Sequence, residues 1–138
     1  MDESGRKLSA GVVVLVGIAY FVVGFVFAAL ANPSVQVRAW RLAAWVASAA
    51  VFAAHIGYEH FRLGNPPRAI GLRAAVAVAV GAFLVALAAT VHASVAVSHA
   101  PYWRFLLALV AWPVITAVPA FLVALVAGAA LARLSRKA

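Results

Sequence analysis

Trp103 to Leu131 reads WRFLLALVAWPVITAVPAFLVALVAGAAL, and its one charged side chain, Arg104, stands at the edge. A helix rises about 1.5 Å per residue and the hydrocarbon core of a bilayer is about 30 Å thick, so a run of this length spans it. Three further stretches repeat the pattern, running from about Leu8 to Ala31, Trp40 to Phe61 and Leu72 to Val97. All are apolar all round, without the alternation and roughly ten-residue length of membrane barrel strands. The expected fold is all-α, an integral membrane four-helix bundle forming a single transmembrane domain over residues 1–138.

Composition agrees. Of 138 residues, 67% are hydrophobic and 10% charged, and the mean hydropathy is +1.08. A soluble domain is nearer half apolar and a quarter charged. The formal net charge of +8 would suggest nucleic acid in a soluble protein, but here the cations stand singly between apolar runs and mark topology. No nucleic-acid partner is expected; the lipid bilayer is. The chain has no cysteine, which excludes disulfides, thiolate metal sites and cysteine nucleophiles.

The separators are Asn32-Pro33-Ser34, Gly64-Asn65-Pro66-Pro67 and Ser98-His99-Ala100-Pro101. Each carries turn chemistry, and each is short enough to make successive helices antiparallel neighbours in an up-down-up-down arrangement. Arg6, Lys7, Arg62, Arg68, Arg73, Arg133, Arg136 and Lys137 then fall on one side, and Arg38, Arg41 and Arg104 on the other. The positive-inside rule places both termini and the Arg62–Arg73 loop in the cytoplasm, and compactness with arginine-rich, lysine-poor usage points to a multi-pass protein of a bacterial-type inner membrane. Trp40, Trp45, Tyr102 and Trp103 lie near the opposite face, as an interfacial aromatic belt does. The first segment, with Arg6-Lys7 ahead and Ala29-Leu30-Ala31 behind, has the outline of a signal peptide, but its apolar run exceeds the usual h-region and it reads as a retained span.

Small residues recur at helix-packing intervals. Ala120, Ala124, Gly128 and Ala132 form one stripe, Gly17, Gly24, Ala28 and Ala31 another, with Ala77 and Gly81 on the third helix. Such stripes let backbones approach where lipid offers no hydrophobic drive. Pro113 and Pro119 are expected to kink the fourth helix, freeing the carbonyls of Leu109 and Ile115, with Thr116 as a local partner for them.

Glu59 is the only acidic residue beyond position 3. His55, Glu59 and Arg62 share one helical face, and the same step backwards adds Phe52, Ser48, Trp45 and Arg41. With the second helix centred near Ala50, Glu59 lies roughly 13 Å and His55 roughly 7 Å from the bilayer centre. Two readings follow. Glu59 and Arg62 form an anchoring pair near the cytoplasmic boundary, or His55 and Glu59 form an intramembrane proton or cation site. His60 lies about 140° around the helix from His55 and reads as interfacial. His92 and His99 are about 10 Å apart along the axis, too far to share one metal.

No metal site is expected, and no cofactor. A bis-histidine haem needs two imidazoles at one depth, which His55 and His92 do not offer within one chain. No carboxylate pair, HExxH, glycine-rich phosphate loop or strained serine elbow is present, so no catalytic residues are assigned and the chain does not read as an enzyme. The leading expectation is a small polytopic membrane protein acting by association, as an accessory subunit with a protein partner or as a homo-oligomer. The alternative is a small transporter or proton/cation-conducting protein using His55 and Glu59.

Overall fold

The computed structural model describes residues 3–31, 35–95 and 102–135. It is all-helical, with α1 over Glu3–Ala31, α2 over Val37–Phe61, α3 over Pro67–Val95 and α4 over Tyr102–Ser135. Each helix is long and apolar enough to cross a membrane, so the chain is a multi-pass membrane protein by its helices.

Every helix begins or ends beyond its expected apolar bounds. Apolarity marks the stretch that lies in hydrocarbon, and the helix continues past it where Arg and Lys are good helix formers. The start of α3 moves from Leu72 to Pro67, as far as that of α1 from Leu8 to Glu3. Proline is favoured at the first helical position, where its missing N–H would have had no partner and its fixed φ suits the helix. The shift places Arg73 well inside α3 instead of at its entrance. The separators at 32–34 and 98–101, and with them His99, lie outside the described residues.

Packing centres on α3. A third of its span is buried, against 11% for each of the other three. It lies against α4 along much of its length and against α1, while α1 also packs against α2. Among the described residues α1 and α4 make no close backbone approach. The small-residue stripes make these contacts. Gly17 faces Ala77 and Val80, Gly81 faces Tyr20, and Gly24 faces Val85. Gly71 and Gly128 do the same between α3 and α4, against Phe121 and Ile70. Ala74, Ala77 and Ala124 are almost wholly enclosed.

α2 is the least engaged helix. Its buried contact with α3 and α4 lies near one end, where Ile56 joins Ile70, Ala74 and Ala124 in a buried cluster flanked by Phe52, Ala127 and Leu131. His60 Nε2 also lies 3.2 Å from Ser135 Oγ there. This is the end carrying the turn between α2 and α3. At the far end α2 touches α1, with Phe27 and Trp40 in ring contact at 6.1 Å.

Helix α4 runs unbroken through Pro113 and Pro119. Thr116 does not serve the carbonyls those prolines leave free. Its hydroxyl donates instead to Trp112 O at 2.9 Å and Pro113 O at 3.1 Å. A threonine side chain in a helix reaches the carbonyls three and four residues back, and from position 116 these are 113 and 112. Leu109 is too distant, and Ile115 is its own neighbour.

The glycine contacts are directly testable. A Cβ at position 81 would lie 2.6 Å from Tyr20 Cβ and 3.0 Å from Gly17 O, and one at position 17 would lie 2.7 Å from Val80 Cγ1. Gly17→Ala and Gly81→Ala must push α1 from α3 and should each cost about 1–3 kcal/mol. Gly11 and Gly57 are helical with open space where a Cβ would go, so Gly11→Ala and Gly57→Ala should be neutral or slightly stabilising. Thermal unfolding in detergent micelles separates the two pairs, and equal effects would disprove the contacts.

Candidate functional site

Two features stand out, a buried polar cluster at the end of the α2–α3 turn and a cavity at the far end. The cluster is built around Glu59, in the last turn of α2, which has no exposed surface. Arg73 donates to its Oε2 at 2.8 Å and Asn65 Nδ2 donates to the same oxygen at 2.6 Å. His55, one turn back on α2 and 3% exposed, places Nε2 3.4 Å from Oε1. That contact is long, and neither His55 nitrogen makes a hydrogen bond among the described residues.

The turn exists in the form this cluster requires. Helix α2 stops at Phe61, and Gly64 adopts a left-handed φ of 61°. That conformation costs roughly 1–2 kcal/mol for a residue with a Cβ. The chain thereby folds back, and the Asn65 amide donates to the Glu59 carbonyl at 3.1 Å. Asn65 thus holds both the backbone and the side chain of Glu59. Pro66 O then accepts from Ala69 and Ile70 as α3 begins, and two turns later Arg73 arrives beside the carboxylate. A buried carboxylate is tolerable only with a countercharge and further donors, and this turn supplies both.

Arg62 is not the partner of Glu59. It caps α2, is exposed, and forms no ion pair among the described residues. Glu59 faces α3, whereas Arg62 lies where its long side chain can extend toward headgroups and water. Sequence spacing offered Arg62 because it weighs only one helix. Arg73 was read as a topology charge, and the signal that it does more is its position among apolar residues once α3 starts at Pro67.

The cavity is an open groove rather than an enclosed chamber, with a volume of about 1240 Å³ and walls from all four helices. α2 contributes Arg41, Trp45, Ser48 and Phe52, four members of the stripe read from the sequence; α1 contributes Tyr20 and Phe27, and α4 Trp112 and Thr116. Most of the lining is apolar. Among the described residues no acidic side chain borders it. Tyr20, which sequence reading passed over as one more aromatic in an apolar span, has a buried hydroxyl without a hydrogen-bond partner.

The stripe on α2 therefore divides. Its upper part lines the cavity, and His55 and Glu59 do not. Phe52 sits between, on the cavity wall and against the Ile56 cluster. His92 is exposed on α3, away from the other histidines of the described residues, and no group of three potential metal ligands occurs among these residues. His55 is enclosed by its own chain.

Comparison with known protein families, curated proteins and solved structures finds no match.

Removing one partner of a buried ion pair typically costs 3–5 kcal/mol, because the other charge is left uncompensated. Glu59→Ala and Arg73→Ala should each cost about 3 kcal/mol, and the double variant should fall short of the sum by more than about 1 kcal/mol. Arg62→Ala should stay within about 0.5 kcal/mol of the parent. Unfolding free energies in mixed micelles give all four values. Additive losses at 59 and 73, or a loss at 62 matching that at 59, would refute the pairing.

Proposed function

We propose that this is a small inner-membrane protein whose cavity binds a lipophilic small molecule, as the substrate compartment of a small transporter. The observation that carries this reading is the cavity itself. Ligand pockets commonly measure about 300–1,000 Å³, are mainly apolar and carry a few placed polar groups. This one is at the upper end or beyond at about 1240 Å³, with Arg41, Ser48, Tyr20 and Thr116 as its polar groups.

In this reading the helices form an up-down-up-down bundle, with both termini and the α2–α3 turn on the cytoplasmic side. The distribution of Lys and Arg supports that orientation. The cavity then opens in the outer half. The Ile56–Ile70–Ala124 cluster and the Glu59–Arg73–Asn65 cluster close the cytoplasmic end. His55 and Glu59 thus belong to the closure and not to the path of a conducted ion, because the cavity stops short of them.

Association with other subunits has less support. Its sequence basis was the small-residue stripes and the polar side of α2. Gly17, Gly24, Gly81, Ala124 and Gly128 are all occupied within the chain, and the polar side of α2 faces the cavity and α3. The exposed apolar faces of α1, α2 and α4 are what lipid contact requires of any such protein.

Native mass spectrometry of protein extracted in mild detergent from its own membranes tests the reading. The expected result is an added mass of small-molecule size that disappears when Ala44→Trp and Ala82→Phe, both on the cavity wall, fill the space. A bare monomer, or an adduct indifferent to these substitutions, would refute it. Added masses of other polypeptides would favour the association reading instead.

A further inference from the structure

Among the described residues lining the cavity Arg41 is the only cation; it is exposed and forms no ion pair among them. It lies about one turn inside α2, which starts at Val37. Trp45 and Ser48 follow on the same face, four and seven residues on, and all three border the cavity. With no carboxylate among the described lining residues, nothing within the cavity competes for the guanidinium. The remaining wall is mostly alanines, valines and rings such as Phe27, Phe52 and Trp112, with Thr116 and Tyr20 as its other polar side chains. One end of the cavity is thus cationic and the rest is mostly apolar.

We infer that the cavity selects an amphiphile with an anionic head, a carboxylate or a phosphate, seated against Arg41 with its hydrocarbon tail along the wall toward Phe52. This rests on the cavity being a ligand site, and adds what the ligand is. Guanidinium presents a planar fork of donors that matches both groups bidentately. An arginine placed only to meet headgroups at the membrane surface would not discriminate between ligands inside the cavity. The anionic head can belong to a bilayer phospholipid or to a single-chain amphiphile, and the chemistry at Arg41 is the same for both.

The test uses the full chain in nanodiscs of phosphatidylcholine, with a dibrominated stearic acid and the matching dibrominated stearyl alcohol as probes. Both quench tryptophan. Trp45 and Trp112 line the cavity, so the signal of interest is the saturable quenching that vanishes in Trp45→Phe/Trp112→Phe. The acid is expected to saturate at a concentration about tenfold lower than the alcohol, the worth of one charge-assisted contact. Arg41→Gln should bring the acid to the alcohol's midpoint and leave the alcohol unchanged. Arg38→Gln, on an exposed residue outside the cavity lining, should change neither.

Equal midpoints for acid and alcohol in the parent, or an acid preference that survives Arg41→Gln, would overturn the inference and leave a cavity that takes lipophiles without regard to charge. Absence of saturable quenching by either probe would defeat the ligand-site reading as well. Phosphatidylglycerol added to the nanodiscs separates the sources. Competition with the acid supports a bilayer headgroup as the anion, and acid binding without competition supports a single-chain amphiphile.

Discussion

The carboxylate of Glu59 is fully enclosed, and the fold around it follows from what a buried charge needs. It must have a countercharge and enough donors, or it leaves the interior. Arg73 and Asn65 answer that need at Oε2, from α3 and from the turn before it, while Oε1 has only the long contact with His55. The turn in its observed form depends on Gly64 in a left-handed conformation and on Pro67 opening α3. In this way one acidic residue fixes where α2 ends, how the chain reverses and which face α3 shows to α2.

The cavity is the other side of the same constraint. Lipid tails are as apolar as leucine, so helices in a membrane close upon one another through small-residue contacts and polar links. α3 has such contacts with α1 and with α4. α2 has its polar link to α3 at one end and no small-residue stripe meeting α3 or α4 along the rest of its length. Held at the end with the turn and resting on α1 at the other, it leaves a space lined by all four helices.

Much of the architecture was legible in the sequence because the membrane reduces the problem to run length. Four apolar runs gave four helices, and the spacing of Gly17, Gly24, Ala77, Gly81, Ala124 and Gly128 marked faces that do pack. The stripe from Arg41 to Glu59 was visible as one face of α2; its His55–Glu59 end is buried against the other helices, while Arg41 and Trp45 remain exposed. What spacing could not supply was the partner across a turn. Arg62 satisfied the helical interval to Glu59, while Arg73 satisfied the three-dimensional requirement fourteen residues away. Thr116 shows the same limit in miniature, since its hydroxyl serves the carbonyls within its reach and not the ones the prolines leave free. The cavity was illegible too, because an empty space belongs to no residue, and Tyr20 carries meaning only once its hydroxyl is seen to lack a partner.

The central claim is that the Glu59–Arg73 contact, and not apolar packing alone, holds α2 against the other helices at the end with the turn. The absence of cysteine makes a distance measurement straightforward. Spin labels introduced at Phe61 and Leu134, both exposed and near that end of α2 and α4, would be followed by double electron–electron resonance in nanodiscs. A single narrow distance in the labelled parent that broadens and lengthens with Arg73→Ala is the predicted result. An unchanged distribution with Arg73→Ala would contradict the account and leave the apolar cluster around Ile56 as the element that sets the position of α2.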